Sequence, residues 1–320
     1  MTRHGWISGL GGGALIALGA ACEVEELVSL RADLVYRCPT WQCGYNSPDL
    51  HGNTIRALNL DGLPNGDGVR LIGFTAPPWT KGTYTLEVQG DELVGVAKNA
   101  PELRGADLVG SRLHLVVDGA VRDVRVDEVR LDASWAPAGA PVVSYRLRIE
   151  SPEAPGEFVE LCTAGEKSED NAYTVVLGGE RYDEASIAVV PAAGWFSLAC
   201  GTTALAKAAH LGYGPQTPFP GEGAPASPGR RQATLKMLTA DFCGVGHAYT
   251  EDGVFLLYAN QSGAFGPLPD VVPGDLEAIW TADGALCLEA TRLGTKVNLC
   301  DLPSCDGLGL GDGEWITHLP

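Results

Sequence analysis

Leu113-His114-Leu115-Val116-Val117, then Asp118-Gly119, then Val121-Arg122-Asp123-Val124-Arg125-Val126-Asp127-Glu128-Val129-Arg130-Leu131 is the stretch that decides the fold. Apolar and polar side chains alternate with period two on both sides of an Asp-Gly pair. Asp-Gly tolerates the positive φ angles of a tight hairpin turn, so the segment predicts two antiparallel strands with one buried and one solvated face. Residues 143–149 repeat the alternation. Several such strands at close spacing predict a small sandwich or barrel over 53–150.

Working outward, Ser151 to Gly156 carries two prolines and marks the expected boundary with a second region, 151–320. Short strands are expected at 158–162 and 173–177. Helix signals then appear: Thr202-Thr203 precedes Ala204-Leu205-Ala206-Lys207-Ala208-Ala209-His210-Leu211, and Gly212 closes the run. A Pro- and Gly-rich loop spans 214–229, and a second helix runs from Arg231 to about Ala240 with Leu235 and Leu238 near one face. Strand-like pieces follow at 254–258, 276–280 and 285–288, the last two around Asp283-Gly284. The fold class is α+β and mostly β: an N-terminal antiparallel β region, then a disulfide-stabilised β-rich domain with two or three short helices. Gly307, Gly309, Gly311 and Gly313 alternate with no helix behind them to hold a phosphate, so they read as part of a flexible, Cys-containing C-terminal tail.

Residues 1–21 have the three parts of a secretory signal, with Arg3 and His4 ahead of an uncharged run from Trp6 to Ala21. That run is shorter than the roughly 20 residues needed to span a bilayer, and several glycines interrupt it. The ending Leu18-Gly19-Ala20-Ala21-Cys22 is similar to a bacterial lipobox, with Leu18 one place earlier than usual. Diacylglycerol on Cys22 would tether the mature chain to a membrane, leaving 22–52 as a cysteine-containing lead-in. Ordinary cleavage after Ala21 is the alternative, and it would leave an odd thiol in an oxidising compartment.

Forty acidic against 22 basic residues give a net charge of −18, and the densest basic cluster is Arg230-Arg231. Nucleic-acid binding lacks its electrostatic basis in such a chain. With Cys22 lipidated, the nine cysteines leave eight, Cys38, Cys43, Cys162, Cys200, Cys243, Cys287, Cys300 and Cys305, which suits up to four bridges. Connectivity stays open, although the two C-x4-C pairs, Cys38/Cys43 and Cys300/Cys305, could close local loops or share a zinc ion.

Ala240-Asp241-Phe242-Cys243-Gly244, followed by His247, Thr250, Asp252 and Gly253, resembles the ADYC-domain family of exported bacterial proteins, whose function is unassigned. Supporting blocks stand in order: Phe196 with Ala199-Cys200; Ala204 to Lys207 before Leu211-Gly212-Tyr213; and Glu277-Ala278 with Trp280, Gly284-Ala285 and Cys287. The likeness covers about 158–300. Phe242 replaces the signature tyrosine, and the resemblance implies that Ala208 and Ala233 occupy positions where the family carries cysteines. It implies no reaction.

The residues themselves offer two chemical readings. Cys243 with His247 and Asp241 could form a nucleophile, base and orienter, which requires a free thiolate; the competing fate is a disulfide. Asn59, Asp61, Asn65 and Asp67 could ligate calcium but miss the EF-hand spacing, and ordinary turn chemistry accounts for them. No metalloprotease, nucleophile-elbow or Walker motif is present, and no cofactor or metal is expected. The expectation is a non-catalytic, lipid-anchored envelope protein for adhesion, envelope organisation or ligand capture, with a thiol enzyme or a calcium-dependent module as alternatives. Its expected partner is a protein or a glycan.

Overall fold

The structure, a computed structural model, describes residues 43–163, 169–265, 275–294 and 300–319. Cys38–Pro320 forms one compact unit. Among the described residues the chain is mostly β, with antiparallel sheets and two α-helices. Residues 1–42, among them the expected signal segment, Cys22 and Cys38, lie outside them, as does the side chain of Cys43.

The decisive hairpin forms as its alternation requires. Strands β6 (Arg112–Val117) and β7 (Ala120–Asp132) pair antiparallel in register Val116↔Val121 and Val117↔Ala120. Asp118 and Gly119 take φ of 51° and 76°, the positive pair that matches the right-handed twist of the flanking strands. Leu113, Leu115, Val124 and Val126 are buried, and the intervening charged residues lie outside.

These strands belong to an eight-stranded sheet. It adds β2 (Ala57–Asn59), β3 (Arg70–Thr75), β8 (Val142–Glu150), β9 (Phe158–Glu160), β10 (Tyr173–Asp183) and β11 (Ala188–Cys200), in the order β2-β11-β10-β8-β7-β6-β3 with β9 on β8. A hairpin of β4 (Thr85–Gln89) and β5 (Glu92–Val96) completes the front region, its Leu93 buried in the same aliphatic cluster as β6 and β7. The turn 151–156, where composition marks a boundary, connects β8 to β9 inside this sheet, and Ser151 N–H donates to Glu157 O. Prolines and glycines serve a tight turn and a linker equally well.

Strand β10, expected as a short strand over 173–177, runs to Asp183 and is buried on both faces along most of its length. Val176 joins the aliphatic core of the eight-stranded sheet, whereas Val175 and Leu177 point into a second core with α1 (Ala204–His210) and α2 (Pro228–Thr239). Helix α2 begins at a Ser227 cap with Pro228 behind it and ends at Ala240, a left-handed residue with φ 54°. Thr203 stands at the α1 cap position, but its hydroxyl donates to Cys200 O instead of accepting from the helix.

The second core is closed by a five-stranded sheet of β1 (Cys43–Tyr45), β12 (Phe255–Asn260), β13 (Leu276–Thr281), β14 (Gly284–Leu288) and β15 (Trp315–His318), in the order β1-β12-β15-β13-β14. The C-terminal end therefore departs from the flexible tail expected. Residues 315–318 form the central strand, with Trp315 and Thr317 fully buried. Four residues are too few for a periodic signal, and the glycines before them disguise the strand as linker.

Disulfides join Cys162–Cys200, Cys243–Cys300 and Cys287–Cys305, and belong to an oxidising, non-cytoplasmic compartment. Cys300 and Cys305 thus do not close a local loop or share a zinc ion. Cys305 is held against β14, where its N–H donates to Glu289, while Cys300 reaches the signature segment. No described helix is long and apolar enough to cross a membrane.

Candidate functional site

The signature segment is a buried junction. Ala240 turns the chain back so that Asp241 is fully buried. Asp241 Oδ2 accepts from Lys236 Nζ at 2.6 Å and from Gly246 N–H at 2.8 Å, and Oδ1 accepts from Val245 N–H at 3.1 Å. Lys236 Nζ also donates to Ser186 O, in the turn between β10 and β11, and to Gly244 O. Phe242 stacks on Trp280 at 5.1 Å, and its carbonyl accepts from Ala285 N–H at the start of β14. Gly244, at φ 70°, lies so close to Asp283 O that a Cβ would approach to 1.9 Å. Five residues thereby fasten α2 to two hairpins.

Cys243, His247 and Asp241 do not form a catalytic set. The sulfur of Cys243 is bonded to Cys300, the His247 ring packs edge-on against Tyr249 at 4.3 Å, and Asp241 is committed to Lys236 and two backbone amides. The other blocks are also interior. Glu277 pairs with Arg292 Nε at 2.7 Å and accepts from Thr317, which in turn accepts from the Trp280 indole. Lys207 donates to Asn46 O at 2.6 Å, and burial pushes its amine down to about 8 against the opposing pull of Asp252. Ala208 on α1 and Ala233 on α2 are both buried.

Turn chemistry accounts for the asparagines considered for calcium. Asn59 Oδ1 accepts from Asp61 and Leu63 N–H, and Asn65 Oδ1 accepts from Asp67 and Val69 N–H while its amide donates to Ile55 O and Ala57 O. Among the described residues no group of three acidic, histidine or cysteine side chains could hold a metal ion.

A polar double cleft lies elsewhere, and sequence reasoning missed it. Its dividing ridge is the ion pair between Arg56 and Glu184 Oε2 at 3.0 Å. Arg56 takes φ 59° in a turn tightened by Asn53 Oδ1, which accepts from Ile55 and Arg56 N–H. On one side a cleft of about 420 Å³ is lined by Asp49, His51, Ile187 and, from the signature loop, Gly246 and Ala248. His51 is buried, with Nδ1 2.9 Å from Glu184 Oε1 and Nε2 without a hydrogen-bond partner among the described residues. The His51 hydrogen bond holds the Glu184 carboxyl below its usual value; partial burial, then the charges of Asp252 and Glu184, raise that of Asp49. On the other side a cleft of about 530 Å³ is lined by Asn65, Asp67, Arg181, Tyr182, Asp183 and Val190. His51 and Arg56 stand in turns without periodicity and Glu184 and Arg181 at a hairpin end, so no sequence signal links them.

The model of the ADYC domain matches residues 105–294. The chain belongs to the ADYC-domain family. The match begins well before the blocks quoted above and takes in β6 to β14 with the whole signature junction. No curated protein and no solved structure matches the chain. The double cleft straddles the limit of the ADYC domain: Arg181, Glu184 and Gly246 belong to the matched span, whereas Asp49, His51, Arg56 and Asp67 come from the front of the chain.

Proposed function

We propose that this ADYC-family chain is an exported, membrane-tethered ligand-capture module without a thiol reaction, anchored by lipid at Cys22 in the bacterial envelope. The observation that carries the reading is the bond between Cys243 and Cys300, which makes the signature cysteine a staple. Disulfides in place of reactive thiols suit a protein working outside the cytoplasm. The signature side chains are spent on packing, whereas the double cleft offers a concave polar surface to a ligand.

Alkylation of the native chain followed by peptide mapping tests the thiol half of the proposal. The expected result is no label on Cys243 before reduction, and a labelled Cys243 overturns it in favour of a thiol enzyme. Mass spectrometry of the mature N-terminus tests the tether, with acylated Cys22 as the expected first residue and an intact Met1 as the refuting one.

A further inference from the structure

We propose that the cleft beside Arg181 binds a small zwitterion of the amino-acid or short-peptide class, its carboxylate on Arg181 and its ammonium toward Asp67 and Asp183. The proposal rests on the ligand-capture reading and names the ligand chemistry. Arg181 stands on β10 opposite Val190, with its guanidinium carbon 4.6 Å from the centre of the Trp195 ring. Among the described residues it has no carboxylate or hydrogen-bond partner, and its Nε is buried with nothing to donate to. That is a costly arrangement for an arginine, because a desolvated N–H without an acceptor loses a hydrogen bond that water would have supplied. The contrast with the facing arginine is direct. Arg56 is already balanced by Glu184 at 3.0 Å and Asp67 at 3.6 Å.

The indole packs against the guanidinium of Arg181, which lines the cleft, and restrains it before a ligand arrives. A planar carboxylate fits that fork through two parallel hydrogen bonds. The remaining charges select against a simple anion. Asp67 and Asp183 line the same cleft, and the chain as a whole carries −18. A bare carboxylate meets repulsion there and a bare amine meets Arg181, whereas a molecule bearing both charges a few bonds apart satisfies both walls. The volume of about 530 Å³ accommodates an amino acid or dipeptide with room for a side chain against Val190.

Calorimetric titration of the full-length oxidised chain, with tryptophan fluorescence as a second signal through Trp195, tests the assignment. The probes are free α-amino acids, dialanine, acetate and methylamine. Saturable binding of at least one zwitterion is expected, with acetate and methylamine each weaker by at least about tenfold. Arg181→Ala should weaken the zwitterion by at least about tenfold and Arg181→Lys by less, since the point charge remains but the fork is lost. Circular dichroism of both variants checks that they fold. No saturable zwitterion binding, equal binding to folded Arg181→Ala, or acetate binding as tightly as the zwitterion would each overturn the proposal. Labelling of Cys243 would instead overturn the ligand-capture reading and leave these titrations interpretable.

Discussion

Of the two cores, the one in the eight-stranded sheet is mostly leucine, valine and isoleucine, with Tyr145 and Phe196 among them, and the ion pairs of β6 to β9 lie on the outside. Arg146 and Arg148 both reach Glu160 from positions about one-third exposed. The five-stranded sheet and its helices enclose Trp280, Trp315, Tyr213, Phe242 and Tyr258, and their ion pairs lie inside. Lys236–Asp241, Arg292–Glu277 and Arg231–Glu180 are all buried. The difference follows from strand length. The 13-residue β7 and β11 satisfy their backbone in long ladders, β7 with β6 and β8 and β11 with β10, whereas short strands and irregular loops leave carbonyls and amides for side-chain charges to satisfy. Two of the three described disulfides also sit in the short-strand region. Removing a single charged side chain should therefore cost far more there than in the long-strand region.

Asp241→Ala carries the largest expected effect. It strands the Lys236 ammonium and two amide N–H groups in the interior, and breaking a buried pair from one side costs about 3–5 kcal/mol. Denaturant unfolding of oxidised protein measures it. A loss below 1 kcal/mol would show that the signature does not hold the junction. Next, replacing Cys243 and Cys300 together by serine removes a cross-link over 57 residues, worth about 4 kcal/mol by loop-closure entropy. Serine in place of Cys287 and Cys305, 18 residues apart, should cost about 3 kcal/mol. Reversal of that order would mean that local packing, and not loop length, sets the contribution of each bridge.

The same contrast explains what was legible in the sequence. Period-two alternation around Asp118-Gly119 reports one buried face, and β6, β7 and β8 are half-buried strands of that kind, so their existence and the pairing of β6 with β7 could be read directly. The helix at 204–210 announced itself through strong formers before Gly212. Residues 315–318 could not be read, because a four-residue strand has no measurable period. The bridges of Cys300 and Cys305 were equally hidden, since their partners are set by which loops meet in space. For the signature, spacing gave the residues but not their role: a Cys, a His and an Asp within seven positions look like reactive groups until Lys236 and Cys300 are seen to occupy two of them. The double cleft was illegible because Arg56 and Glu184 are brought together by β2 packing on β11.

Asp91 sharpens the comparison at the seam between the two regions. It sits in the turn between β4 and β5, where it accepts from Gly178 N–H on β10 and from Gln216 N–H and Thr217 Oγ1 in the loop after α1. Burial raises its carboxyl from 3.8 to about 6, despite those donors. The folded chain thus binds this proton more tightly than the unfolded chain. The associated stability is complete below about pH 4 and is lost as pH rises through 6, about 3 kcal/mol in all. Unfolding of wild type and Asp91→Asn from pH 4 to 7 should show a fall in stability for wild type that the variant lacks. Parallel profiles would remove Asp91 from the seam.

The smallest effect belongs to the long-strand region. Glu160 Oε1 accepts from both Arg146 and Arg148, and those hydrogen bonds hold its carboxyl below the usual value despite partial burial. The cluster lies on the open face, where water and salt screen each charge, so Glu160→Gln should cost no more than about 1 kcal/mol and less at high salt. Stability in that sheet resides in the ladder and the aliphatic layer, with Leu147 buried between the two arginines in sequence and facing the opposite side. Leu147→Ala should cost about 2–5 kcal/mol at the neighbouring position. Measuring both variants by the same denaturant titration separates the two faces of one strand, and a Glu160→Gln cost as large as that of Leu147→Ala would erase the distinction between the two sheets.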